Sequence, residues 1–110
     1  MLRDWIESVA ARVSHYNRTR KYAYFMERLN PSPEATLLDV GFANHEGKRD
    51  AMINYLEKHY PYPERITALG VSGKDEFERR YPKVRAVLYD GREFPFADGE
   101  FDIGWSNAVI

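Results

Sequence analysis

The residues of this sequence that could bind a ligand stand where apolar runs end. Asp39 lies inside the run Leu37–Val40, and Gly41 follows that run directly. A glycine lets the backbone approach a ligand closely, and amides near the start of a following helix can receive a carboxylate or a phosphate. Asp39 fits this arrangement if its carboxylate accepts hydrogen bonds from amides of the turn and holds the loop open. The pattern therefore predicts a ligand-binding loop after residue 40.

Two later segments end in the same way. Asp90-Gly91 follows a third apolar run, and Ser106-Asn107 ends the last one. Because ligands of open parallel sheets bind beyond the carboxyl ends of the strands, these segments are candidates for the same site. Simpler interpretations remain open: Gly41 as a tight turn, Asp90-Gly91 as a common turn dipeptide, and His45 as a solvated loop residue.

Alternating strands and helices must position these residues. Two helical patterns come first, an amphipathic one that contains Trp5, Ile6, Val9 and Val13 and a second over about residues 16–29, which "NPSPE" ends. The segments that follow are predicted as strands at 36–40, 66–71, 85–89 and 101–105 and as helices at about 48–59 and 74–80. This alternation predicts an α/β fold with a parallel sheet and right-handed crossovers.

Composition limits the classes of function. The 110 residues, 44% hydrophobic and 30% charged, are typical of one soluble globular unit. The net charge of -1 is spread along the chain, which does not favour nucleic acid or an anionic membrane as a partner. There are no cysteines, so disulfides and thiolate metal sites are excluded, and no metal site is predicted. No apolar stretch is long enough to span a bilayer, and we expect a cytoplasmic protein.

Three segments together resemble a known family. "LLDVGFA", "ITALGVS" and "AVLYDGREFPFADGEFDIGWSNAVI" are similar, in order and spacing, to the first motifs of class I S-adenosylmethionine-dependent methyltransferases, in particular the methyltransferase type 11 group. The resemblance covers residues 35–110 and leaves 1–34 as an amino-terminal helical extension. It implies a Rossmann-like parallel sheet in the order 3-2-1-4 with flanking helices, truncated after the fourth strand, and S-adenosylmethionine as cofactor.

The resemblance also implies a role for each matching residue. The loop that holds the methionine part of the cofactor would contain Asp39, Gly41 and Ala43. Asp90 would accept from the adenine amino group beside the backbone of Gly91 and Arg92, Ser72 would face the ribose, and Ser106 and Asn107 would lie at the sulfonium end. Two departures stand out. Phe42, Ala43, Asn44 and His45 precede Gly47 where the family has closely spaced glycines, and Ser72 replaces the usual acidic residue that binds the ribose hydroxyls.

The implied function is transfer of a methyl group from S-adenosylmethionine to an unknown acceptor, with no catalytic residue assigned. The chain stops at Ile110, ahead of the segments that shape the acceptor site in the family, so we expect no turnover by these residues alone. The alternative is a non-catalytic remnant that acts as an oligomeric or interaction module. A nicotinamide-dinucleotide domain would require a tighter glycine pattern. We expect Phe101, Ile103 and Trp105 to be uncovered on an edge strand, which predicts a homodimer through that edge.

Overall fold

A computed structural model of the protein describes residues 2–43 and 54–106. Its first element is one helix of 28 residues, α1 (Leu2–Leu29), where the sequence predicts two successive helices. The two patterns merge because no proline or glycine stands before residue 31. The helix ends at Asn30, whose φ of 40° is left-handed and whose amide donates to the Met26 carbonyl at 3.0 Å.

The two halves of α1 present apolar residues on opposite sides. At about 100° per residue, Trp5, Ile6 and Val9 fall on one side of the helix and Tyr22 and Phe25 on the other. Phe25 is buried, whereas Trp5 remains 64% exposed. Among the described residues, Trp5, Ile6 and Val9 of the predicted apolar face are exposed and lie outside the core. In the described part of the chain, neither α1 nor any other helix is long and apolar enough to cross a membrane.

The four strands form one parallel sheet. They are β1 (Leu37–Val40), β2 (Ile66–Gly70), β3 (Arg85–Leu88) and β4 (Ile103–Ser106). Their spatial order is β3-β2-β1-β4, which confirms the predicted order 3-2-1-4. Leu37 pairs with Ile66 on one side and with Ile103 on the other. The chain therefore adds strands on one side of β1 and then switches to the other side for β4.

Two shorter helices join the strands. α2 (Tyr55–His59) precedes a 3₁₀ turn at Pro63–Arg65, and α3 (Lys74–Arg80) has the predicted bounds. The helix predicted over 48–59 is not continuous, because Asn54 has a left-handed φ of 54° and α2 begins after it; residues 44–53 lie outside the described residues. The three helices and the sheet share one core, which contains Phe25, Leu37, Phe42, Leu56, Tyr60, Ile66, Ala68, Phe77, Val84, Ala86 and Trp105.

The last strand begins two residues later than predicted. Asp102 forms a bend before β4, because its carboxylate Oδ2 accepts from the Thr36 amide at 3.0 Å and from the Thr36 hydroxyl at 3.3 Å. The Asp102 amide in turn donates to the Thr36 carbonyl at 3.0 Å. These bonds replace regular pairing at this position and fix the entry of the chain into β4.

The prediction that Trp105 is uncovered is wrong. Its side chain is only 4% exposed, because the second half of α1 lies over it. The Phe25 ring meets the Trp105 ring edge-on at 5.0 Å between centroids, and the Lys21 ammonium lies 4.4 Å from the centre of the Trp105 ring. Phe101 is half-buried against the Phe96 ring, with the centroids 4.9 Å apart.

Candidate functional site

Parallel strands place all four carboxyl ends at one edge of the sheet, which we call the carboxyl edge. The Gly41 amide donates to the Leu69 carbonyl at 2.7 Å, and the Tyr89 amide donates to the Gly70 carbonyl at 3.0 Å, so the ends of β1, β2 and β3 are joined there. The strand order reverses between β1 and β4, the place where open α/β sheets bind ligands. The predicted site residues that end or follow strands at this edge are Gly41, Ser72, Asp90, Gly91, Arg92 and Ser106.

Gly41 has the backbone geometry that the sequence analysis requires of it. Its φ of 92° lies in the region that favours glycine. The residue is exposed, and a methyl group added at its Cα would meet no atom within 4 Å. The loop is therefore open at this residue, and a ligand could contact its backbone directly.

Phe42 stands directly after Gly41, where the family has closely spaced glycines, and its side chain is accommodated in the core. Its amide donates to the Leu69 carbonyl at 3.1 Å, and its buried ring stacks on Phe77 with 4.4 Å between centroids. A methyl group added at Gly70 would lie 2.5 Å from Cε1 of that ring. The ring therefore fills the space above Gly70 in the core.

Ala43 is held by a side chain that the sequence analysis did not single out. Asn54 Oδ1 accepts from the Ala43 amide at 2.9 Å, and Asn54 Nδ2 donates to the Ala43 carbonyl at 2.8 Å. Asn54 is 2% exposed, so both bonds are shielded from water. They fix the loop to the start of α2 and commit the Ala43 amide to Asn54, which leaves Gly41 as the more accessible backbone.

Asp39 does not hold the loop in the predicted way. Within the described residues no backbone amide donates to its carboxylate, and the side chain is fully buried. Side chains alternate along a strand, so Asp39 shares the face of Leu37, which is covered by the helices. Its carboxyl group lies near that of Glu57 on α2, and burial raises the pKa of Asp39.

Asp90, Gly91 and Arg92 form a tight turn after β3. Asp90 Oδ1 accepts from the Arg92 amide at 2.8 Å and from the Glu93 amide at 3.1 Å. These bonds favour the ionised carboxylate and lower the pKa of Asp90. Gly91 has a φ of 86°, and a methyl group added to it would lie 3.7 Å from Cγ1 of Val71 at the end of β2. Asp90-Gly91 therefore does form a turn, in which both amides bond to the same carboxylate oxygen, Oδ1.

The remaining predicted residues complete the edge. Ser72 is exposed two residues beyond β2. The Ser106 hydroxyl donates to the Val40 carbonyl at 3.5 Å, which places it between β4 and β1. Lys21 of α1, which the sequence analysis did not select, donates to the Ser106 carbonyl. Asn107 lies outside the described residues.

No family model, curated protein or solved structure matches this chain. Function must therefore be inferred from the residues at the carboxyl edge and from their chemistry.

Proposed function

We propose that the chain from residue 35 onward is the S-adenosylmethionine-binding half of a methyltransferase domain that acts on an unassigned acceptor. The supporting observation is the position of the motifs in the sheet. The open glycine at residue 41, the turn at 90–92 and Ser106 all lie at the carboxyl edge: Gly41 and Ser106 flank the switch between β1 and β4, and the turn follows β3 on the other side of β2. Ligands bind at such a switch in open α/β sheets generally.

Each residue has a role in this proposal. The exposed Gly41 backbone faces the methionine part of the cofactor, and Asp90 Oδ2 accepts from the adenine amino group. The Gly91 and Arg92 backbone lies beside the ring, and Ser72 offers one hydroxyl to the ribose. Ser106, with Asn107 after it, lies near the sulfonium, from which the methyl group passes to the acceptor nucleophile by in-line displacement. The protein contributes mainly positioning to such a step.

A non-catalytic interaction module is the second candidate. Two observations favour it: the Ala43 amide is committed to Asn54, and Ser72 replaces a carboxylate that would bind both ribose hydroxyls. A module of this kind would keep the fold and have lost cofactor affinity. Binding of the cofactor or its demethylated product therefore separates the two candidates.

Asp90→Asn is expected to weaken binding of S-adenosylhomocysteine about 10- to 100-fold, the equivalent of roughly 1.5–3 kcal/mol. The asparagine keeps Oδ1 as the acceptor for the Arg92 and Glu93 amides, so the turn persists. The adenine amino group then meets an amide donor in place of Oδ2. Isothermal titration calorimetry measures the change, and Asp98→Asn, an exposed acidic residue of the same segment, is the matched control. Equal affinity for parent and Asp90→Asn would contradict the adenine assignment.

We also propose a homodimer joined through β4. The Ile103 amide donates to the Thr36 carbonyl at 3.1 Å, so it points toward β1. Alternate residues of a strand point their amides to opposite sides, and the Gly104 amide therefore faces outward from the edge of the sheet. A second copy in antiparallel register would form hydrogen bonds with the outward-facing backbone groups of β4 in both chains.

Light scattering at micromolar concentration tests the dimer. We expect a dimer for the parent chain and a monomer for Gly104→Pro, because proline removes the outward donor. The matched control is Leu88→Pro on the opposite edge strand: the Tyr89 amide points toward β2, so the Leu88 amide also faces outward. A monomeric parent would contradict the proposal. So would a dimer that survives Gly104→Pro and dissociates in Trp5→Glu, because the contact would then lie on the exposed face of α1.

A further inference from the structure

Asp39 and Glu57 form a buried pair of carboxyl groups behind the carboxyl edge. Asp39 is 0% exposed and Glu57 is 6% exposed. The two carboxyl groups lie close enough across the space between β1 and α2 for one, when protonated, to donate to the other. Among the described residues, no backbone amide, hydroxyl or ammonium group donates to Asp39. A protonated Glu57 carboxyl group is the donor available to an ionised Asp39, and the positive charge of Lys21 has a smaller influence on it.

Two carboxyl groups in contact cannot both be ionised in a buried site, because each negative charge disfavours the other and neither is solvated. The arrangement available to this chain is one proton held between the two groups, with the acid donating to the carboxylate and a single negative charge left on the pair. Burial acts in the same direction and raises the pKa of Asp39. The pair is therefore expected to bind a proton that two separate surface carboxylates would have lost at neutral pH.

This pair lies beside the bonds that hold the loop. Glu57 stands three residues after Asn54, the residue that binds both the amide and the carbonyl of Ala43, and Asp39 stands two residues before Gly41. A hydrogen bond between Asp39 and Glu57 thus ties α2 to β1 beneath the loop. We propose that Asp39 and Glu57 share one proton, and that this proton positions the loop at residues 41–43 for its ligand. The ligand part of this inference rests on the proposed function.

The surrounding charged and titratable groups come from α1, from α2 and from the residue after α2. Lys21 of α1 favours ionisation of Asp39, but burial and the nearby Arg18 lower the pKa of Lys21 itself. Tyr22 of α1 packs on Tyr55 and His59 of α2, and Tyr60 follows α2. The neighbours of Asp39 in the sheet, Ala68 and Trp105, carry no ionisable group. His59 carries an ionisable imidazole in this cluster, so its contribution must be removed by a variant.

The direction of the pH dependence follows from the shared proton. The folded pair holds a proton that unfolded carboxyl groups lose near pH 4, so the folded state binds more protons than the unfolded state above that pH. Stability from this proton is complete at low pH and is lost as the pH rises through the folded value of the pair. Over that window the equilibrium constant for unfolding should rise by up to tenfold per pH unit.

The first experiment follows the side-chain carboxyl carbons of Asp39 and Glu57 by ¹³C NMR from pH 4 to 9, in the parent chain and in His59→Gln. We expect one common midpoint at both carbons, above the ordinary carboxyl range and unchanged in His59→Gln, because coupled groups titrate as a pair. Independent midpoints, or ordinary values at both carbons, would overturn the shared proton.

The second experiment measures exchange protection of the Ala43 amide over the same pH range. In the parent, protection should fall as the pair loses its proton. In the double variant Asp39→Asn/Glu57→Gln, an amide pair replaces the acid pair, so protection should stay constant with pH. Glu78→Gln, at an exposed position on α3, is the control and should behave like the parent. Protection that is independent of pH in the parent would overturn the positioning role.

Titration with S-adenosylhomocysteine at pH 6 and pH 8 then tests the link to the ligand. The parent should bind more tightly at pH 6, and the double variant should bind equally at both values. Equal binding by the parent at both pH values would overturn the link. Absence of binding at either pH, with the NMR results as predicted, would refute the proposed function and support the shared proton.

Discussion

Trp105→Ala is expected to lower the free energy of unfolding by about 3–5 kcal/mol, the range for removal of a buried tryptophan. The indole ring is 4% exposed and contacts Phe25, Tyr22 and Lys21 of α1. Its removal leaves a cavity between β4 and α1, and the second half of α1 loses its main contact with the sheet. Urea unfolding followed by circular dichroism measures the change.

The chain supplies its own control for this prediction. Trp5, the other tryptophan, is 64% exposed on α1, so Trp5→Ala should change stability by no more than about 0.5 kcal/mol. Trp5→Phe leaves Trp105 as the sole indole fluorophore, whose emission should shift to longer wavelength on unfolding. A similar loss of stability for Trp5→Ala and Trp105→Ala would contradict the packing of α1 on β4.

Gly70→Ala is expected to cost about 1–3 kcal/mol, the usual range for overpacking a filled core. The added methyl group would lie 2.5 Å from Cε1 of Phe42, and that ring cannot withdraw freely because it is stacked on Phe77. Chemical denaturation again measures the change. Gly104→Ala is the matched control, since a methyl group there meets no atom within 4 Å.

A double-mutant cycle isolates the contact between the two residues. In a Phe42→Ala background the ring is absent, so Gly70→Ala should cost little, and the coupling between the two changes should be about 1–3 kcal/mol. Additive effects would mean that Phe42 does not occupy the space above Gly70.

Most of the fold could be predicted because local patterns agree with it. The four apolar runs are short and are separated by turn residues, and they form the parallel sheet in the predicted order. Each error has a specific structural cause. The two helical patterns merge into α1 because nothing between them breaks a helix, and β4 starts late because Asp102 bonds to Thr36, 66 residues away in sequence. A partner at that distance leaves no signal in a short window of sequence.

The candidate site was predictable only in part. The conformations of Gly41 and Asp90-Gly91 could be predicted from the residues themselves, because glycine adopts positive φ readily and Asp-Gly favours turns. The residues that contact Asp39 and Ala43 could not be identified from the sequence in this way. Glu57 and Asn54 lie within a predicted helix, and their roles depend on which face of β1 the helices cover. Whether the Asp39 side chain points into the core also depends on which face of β1 the helices cover. The sequence could therefore suggest that Asp39 is buried, but not that Glu57 is its neighbour.

The central claim is that S-adenosyl compounds bind at the carboxyl edge around the switch between β1 and β4. The most direct test is a ¹H–¹⁵N NMR titration of the chain with S-adenosylhomocysteine. The account predicts saturable shifts at the amides of Gly41, Ser72, Gly91, Arg92 and Ser106, with little change at Thr36 and Arg65, which precede β1 and β2 at the opposite edge of the sheet. Absence of shifts at millimolar ligand, or shifts confined to residues away from this edge, would contradict it.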